Sequence, residues 1–190
     1  MKILVTGSAG HLGEGIARAL DGTEHEVVGL DVLGSQFTQV MGSVADRDCV
    51  RAAIAGADAV IHSATLHKPH VDSHGRDEFV QTNITGTLVL LEEAVAAGVS
   101  RFLFTSTTST FGRALTPGAG APAAWITEQV QPVPRNIYGV TKTAAENLCE
   151  LVWRDHGLPC LILRTSRFFP EDDDREDART AYEDLNLKVN

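Results

Sequence analysis

Short runs of aliphatic and β-branched residues alternate along this chain with longer stretches whose apolar residues recur every three to four positions. Lys2–Thr6 is a run of the first kind, and it ends at Gly7. His11–Leu20 is of the second kind, with Leu12, Ile16, Ala19 and Leu20 on one side. The same reading predicts strands at Glu26–Asp31, Ala57–His62, Arg101–Ser106 and Pro159–Arg164, and helices at Asp46–Ala55, Arg76–Ala97 and Asn136–His156. The helix Arg76–Ala97 stops at Gly98, the usual place for a helix-ending glycine. Apolar strands alternating with helices predict an α/β fold, a Rossmann-type doubly wound parallel sheet covered on both faces. Between Ala114 and Pro134, Pro117, Pro122, Pro132 and Pro134 with Gly118 and Gly120 exclude a helix and predict a long loop. The alternation covers one domain, residues 1–170, and is followed by an acidic segment, 171–190. The latter is expected to open a substrate region that is largely absent from this chain.

The first strand-to-helix junction carries the first chemistry. Thr6-Gly7-Ser8-Ala9-Gly10-His11-Leu12-Gly13 places glycines at 7, 10 and 13. Gly7 permits a tight turn, Gly10 lets the backbone approach a pyrophosphate, and Gly13 allows close packing of helix on strand. The helix start then offers free N–H groups and a positive dipole end to phosphate. Gly7, Ala9, Gly10, His11, Leu12 and Gly13 are thus candidates for cofactor contact. Asp31 closes the second strand, where a carboxylate accepts hydrogen bonds from ribose hydroxyls and repels a 2′-phosphate. Neither Arg nor Lys lies between Asp31 and Met41. The expected cofactor is therefore NAD rather than NADP.

Tyr138 and Lys142 stand at i and i+4 on a predicted helix, so they share a face about 5–6 Å apart at Cβ. A free phenol titrates near about 10. A neighbouring ammonium, and the positive nicotinamide of NAD⁺, are expected to lower that value and make Tyr138 a general base. A hydroxyl partner should come from Thr105-Ser106-Thr107-Thr108-Ser109-Thr110, at the end of the fourth strand, where open α/β sheets bind ligands.

Composition narrows the class. The 190 residues carry a formal charge of −9, which argues against nucleic acid or an anionic membrane surface as partner. Part of the excess is the run Glu171-Asp172-Asp173-Asp174-Arg175-Glu176-Asp177, read as a solvated loop. Three cysteines, Cys49, Cys149 and Cys160, have no C-x-x-C spacing and suit a reducing, cytoplasmic setting. The apolar opening is too short for a signal or membrane segment. His67, His70 and His74 cluster after the third strand. No cysteine or carboxylate set completes a metal site there, so the cluster reads as a polar loop or a contact to substrate or nicotinamide.

Together, Thr6-Gly7-x-x-Gly10-x-x-Gly13, Tyr138-x-x-x-Lys142 and Leu163-Arg164 resemble the extended short-chain dehydrogenase/reductase superfamily, in particular its NAD-dependent epimerase/dehydratase branch. The resemblance selects Thr107 as the catalytic hydroxyl beside Tyr138 and Lys142. It implies cofactor contacts at Ser63, Ala64 and Thr65 after the third strand, at Asn83, and at Ser43 and Val44. It also implies nicotinamide-end backbone at Thr165 and Ser166, and a homodimer paired through Arg76–Ala97 and Asn136–His156. The sequence departs from the pattern in three places. Gly42-Ser43-Val44 lacks the usual aspartate. Thr108-Ser109 replaces the Asp-Glu pair of the 4,6-dehydratases. Arg167 stands where an asparagine meets a sugar nucleotide, and could instead pair with a carboxylate or phosphate of the substrate. The implied activity is hydride transfer on a sugar or nucleotide-sugar-like alcohol, as epimerase or dehydrogenase. The alternative is a sensor or interaction protein that binds NAD without turnover.

Overall fold

Six parallel strands run in the order β3-β2-β1-β4-β5-β6 in the computed structural model, which describes residues 1–166. They are β1 (Lys2–Thr6), β2 (Glu26–Asp31), β3 (Val40–Met41), β4 (Ala59–His62), β5 (Arg101–Thr107) and β6 (Cys160–Thr165). The helices are α1 (His11–Leu20), α2 (Arg47–Ile54), α3 (Arg76–Phe79), α4 (Gly86–Ala96) and α5 (Ile137–His156). From β1 the chain winds outward one way to β2 and β3, then returns to build β4, β5 and β6 on the other side. The strand order therefore reverses between β1 and β4, and their carboxyl ends flank a crevice.

The expected alternation holds, with four corrections. β3 was not foreseen, because two residues, Val40 and Met41, are too few to show a period. The helix expected over Arg76–Ala97 is interrupted by a π-helical turn, Val80–Thr85, between α3 and α4. The wider i→i+5 turn swells the helix locally. The third predicted strand begins at Ala59 rather than Ala57. Asp46 and Asn136, expected inside their helices, are N-caps. Asp46 accepts from the N–H groups of Asp48 and Cys49 (3.0 and 3.2 Å), and Asn136 from Gly139 N–H (3.0 Å).

The core lies mainly between the sheet and the helices α2, α4 and α5. Leu4, Val60, Phe102 and Phe104 face Leu90, Leu91, Ala145 and Cys149 there, all nearly or fully buried. Each of the Leu, Val and Phe side chains contributes roughly 1.5–3 kcal/mol by leaving water. Glu93 of α4 receives Arg47 and Arg51 of α2 at 2.8 and 3.0 Å. On the opposite face α1 covers a smaller cluster of Ile3, Val5 and Ala59. Farther along that face, Leu161 and Leu163 of β6 are exposed.

Candidate active site

The glycine turn is built as its spacing requires. Gly7 has φ +75°, and a Cβ there would lie 2.7 Å from the Ala64 nitrogen. A Cβ on Gly13 would fall 1.9 Å from the Gly7 carbonyl oxygen, so α1 rests directly on the turn. Asp31 is pinned beside it. One carboxylate oxygen accepts from Ala9 N–H (3.0 Å) and the other from Leu33 N–H (2.9 Å). Gly10 caps α1 without a side chain, which leaves the first-turn N–H groups for a ligand. Glycine cradle, bare helix start and fixed carboxylate together fit a dinucleotide.

The other residues expected at the cofactor make bonds and contacts within the protein. Ser63 Oγ donates to Thr6 O (2.6 Å), and Ala64 N–H donates to Thr6 Oγ1 (3.2 Å). Asn83 lies in the π turn, and its side-chain hydrogen bonds are made within the protein. Its Oδ1 accepts from Leu66 N–H and Thr65 Oγ1 (both 2.9 Å), and its Nδ2 donates to Leu66 O (2.9 Å) and Thr141 Oγ1 (3.0 Å). Asn83 thus holds the segment after β4 rather than reaching outward. Val44 is buried in the core against Gly86, and Ser43 Oγ accepts from Ala45 N–H (3.1 Å) to turn the chain into α2. Leu12 is half-buried and His11 exposed at the start of α1.

Thr107 ends β5 and caps the 3-10 turn Thr108–Thr110, accepting from Ser109 N–H (3.1 Å). Its hydroxyl is a neighbour of the phenol of Tyr138, in the first turn of α5, and acts on the phenol's titration. Gly139 makes this approach feasible, since a Cβ there would sit 2.6 Å from the Ser109 carbonyl oxygen. Of the six hydroxyls in the run, the fold thus brings Thr107 to Tyr138. Thr165 Oγ1 donates to Ser106 O (3.0 Å) alongside.

The electrostatics differ from expectation. Burial pushes the Tyr138 phenol above its ordinary value, and only the neighbouring Thr107 hydroxyl acts the other way. Lys142 is almost fully buried, with Nζ 4.0 Å from the centre of the Phe104 ring. Its pKa falls to about 7 because burial disfavours the ammonium, while nearby Cys149 and Glu146 raise it. The phenol is therefore not already acidified by its neighbour, because removing both groups from water outweighs their spacing on the helix.

Glu146, one turn beyond Lys142, was not anticipated. It is buried, accepts from Ser106 Oγ, and takes Arg164 in a two-point pair (3.0 Å from Nε, 2.7 Å from Nη2). Arg164 also stacks 4.9 Å over the Phe111 ring. The i, i+4, i+8 series Tyr138, Lys142, Glu146 was a visible signal. Ser106 and Arg164 lie on different strands, and nothing in their spacing announced a meeting with Glu146. In the histidine cluster, His67 N–H donates to His70 Nδ1 (3.0 Å), and the His67–His70 and His70–His74 ring centres lie 4.4 and 4.9 Å apart. Among the described residues no group of three His, Cys, Asp or Glu could hold a metal ion. Arg167 and the acidic run 171–177 lie outside the described residues.

Comparison with known proteins agrees with this geometry. A short-chain dehydrogenase/reductase superfamily protein from Agrobacterium tumefaciens, solved with bound NAD, superposes with a TM-score of 0.75 at 32% identity. That match covers 86% of this chain and 48% of the other. The fold is thus of the short-chain dehydrogenase/reductase type. The model of the NAD dependent epimerase/dehydratase family matches residues 3–185, and the chain belongs to that family. Low-salt glycan biosynthesis protein Agl12 of Haloferax volcanii is 36% identical over 186 residues, 89% of this chain and 57% of that protein. UDP-glucose 4-epimerase of Erwinia amylovora is 33% identical over 165 residues, 78% of this chain and 47% of that protein. The chain spans about half the length of these curated relatives. The cofactor expected from Asp31, NAD, is the one in the family's description and the one bound in the Agrobacterium structure. No helix of the described residues is long and apolar enough to cross a membrane.

Proposed function

We propose that this chain forms the NAD-binding and catalytic part of an epimerase or dehydrogenase acting on a hydroxyl of a sugar or nucleotide-sugar-like alcohol. The observation that carries the reading is the juxtaposition of buried Thr107, at the carboxyl end of β5, with buried Tyr138, and Lys142 one helical turn away. Gly7, Ala9, Gly10, His11, Leu12 and Gly13 hold the diphosphate, Asp31 takes the adenosine ribose, and Ser63–Thr65 line the crevice. When bound, NAD supplies the hydride acceptor. Thr107 donates a hydrogen bond to the substrate oxygen, and Tyr138, ionised to the phenolate, takes the hydroxyl proton on its oxygen. Lys142 would hold the ribose hydroxyls of the bound cofactor, and its positive charge would offset the rise that burial imposes on Tyr138. Arg167 is the residue assigned to pair with a carboxylate or phosphate of the substrate.

The relatives named for sugar or glycan chemistry support this substrate class. Thr108 and Ser109, where a dehydratase carries its acid–base pair, favour epimerase or dehydrogenase over 4,6-dehydratase. Exposed Val80, Val140 and Leu151 give the helices of a homodimer an apolar face. Three free cysteines suit the cytoplasm.

The test is incubation with NAD and a panel of UDP-sugars and free sugars, following NADH absorbance and sugar stereochemistry together. NADH build-up identifies a dehydrogenase, and an inverted sugar without net NADH an epimerase. Full activity in Tyr138→Phe overturns the mechanism.

A further inference from the structure

Thr6 and His62 are register partners on β1 and β4, the strands that flank the crevice. Both are fully buried. His62 Nδ1 lies 2.7 Å from Thr6 Oγ1, and Nε2 lies 3.0 Å from Thr87 Oγ1 in α4. The protons can be assigned by elimination. Thr87 Oγ1 is 2.7 Å from the Asn83 carbonyl, which can only accept, so the Thr87 proton is committed there. Thr87 must then accept from His62, which puts the imidazole proton on Nε2. Nδ1 keeps its lone pair and accepts from Thr6, whose oxygen in turn receives Ala64 N–H (3.2 Å).

The chain of bonds continues at both ends. At the crevice it fixes Thr6 and Ala64, the two segments that meet at Gly7 with no room for a side chain. At the other end Asn83 Nδ2 donates to Thr141, whose hydroxyl donates to the carbonyls of Ile137 and Tyr138 (2.9 and 3.0 Å). We propose that His62 is a positioning residue for the dinucleotide crevice: a neutral imidazole, protonated on Nε2, that ties the entry to the glycine turn to α4 and, through Asn83, to the helix of Tyr138. This role rests on the dinucleotide-binding reading. The surroundings keep the ring neutral. It packs on Phe102 and Phe104 (ring centres 6.1 and 5.6 Å), and Lys142, the charged group facing it, lies over Phe104. Burial first, then that ammonium, push its pKa down to about 3.

The test combines ¹⁵N NMR of histidine-labelled protein with NAD titration of the wild type, Thr87→Val and Thr87→Ser. In the wild type the His62 ring shows the Nε2–H tautomer, unchanged between pH values of about 5 and 8. Thr87→Val keeps the shape and removes the acceptor. It populates the Nδ1–H tautomer and weakens NAD binding about tenfold, while Thr87→Ser restores both. An Nδ1–H tautomer in the wild type overturns the proton assignment. A Thr87→Val protein that melts lower but binds NAD as the wild type does reduces His62 to a fold-holding residue and overturns the proposal. Wild-type protein that fails to bind NAD overturns the dinucleotide reading itself, and the crevice role with it.

Discussion

The cluster around His62 and the cluster along α5 are both buried between the sheet and its helices, yet one is neutral and the other charged. Around His62 each proton can be assigned to a bond, and the ring nitrogens join two hydroxyls. Along α5, Lys142 rests on an aromatic face and Glu146 is held between Ser106 and Arg164. A neutral network fixes distances and responds little to its electrostatic surroundings. A buried charge is held against a desolvation cost, so small changes nearby alter its protonation. The first arrangement suits a binding wall and the second a site that moves protons.

Breaking the charged side should have the largest effect. Glu146→Ala leaves Arg164 without its carboxylate and is expected to destabilise by about 3–5 kcal/mol in urea unfolding. Activity should fall as well, because Ser106 loses the contact that steadies the end of β5 beside Thr107. Lys142→Met should act in the opposite direction on stability. The folded pKa of Lys142 is lowered from 10.5 to about 7, so the burial cost is fully present below about pH 7 and relieved as pH rises toward 10.5. The Met variant should unfold at higher urea than wild type at neutral pH, by a few kcal/mol, while losing hydride transfer. It should also lack the wild-type gain in stability on the alkaline side.

The neutral side is sharpened by acid. The His62 pKa is lowered from 6.5 to about 3, so the unfolded chain binds the extra proton and the native chain does not. Stability should therefore fall as pH drops through this window, by about 1.4 kcal/mol per unit from His62. Urea midpoints between pH values of about 7 and 5 measure the slope, and His62→Phe should flatten it. The smallest effect lies outside both clusters. Asp46→Ala removes the cap of α2 and should cost about 1 kcal/mol with unchanged activity.

The same contrast marks what could be read from the amino-acid sequence. The Gly7–Gly13 turn, Asp31 and the Tyr138–Lys142 spacing are local, and the local pattern carries their chemistry. Strands were legible wherever an apolar run was long enough, and β3 was not. Thr107 could be chosen among six hydroxyls only through family resemblance, since its meeting with Tyr138 depends on Gly139 letting α5 approach the turn after β5. Ser106, Glu146 and Arg164 come from three separate elements, and nothing in their spacing announces a cluster. The pKa of Tyr138 was read in the wrong direction because helical spacing reports neighbours and not water. Burial, which acts first on both Tyr138 and Lys142, is a property of the assembled sheet. Asn83 was expected near the cofactor from the resemblance alone, and its side-chain bonds run inward.

The π turn at Val80–Thr85 gives that asparagine its direction. Gly86 N–H bonds back to Gln81 O, one residue farther than in an α-helix, so the turn holds a surplus residue. Deleting one residue there would let α3 and α4 fuse into an ordinary helix. Each residue ahead of the deletion would then rotate by about 100° around the axis. If the shortened stretch aligned with α4, Phe79 would swing out of the interior; if it aligned with α3, the face of α4 bearing Thr87 would turn away from His62. This segment therefore tolerates exchange of side chains better than loss of length.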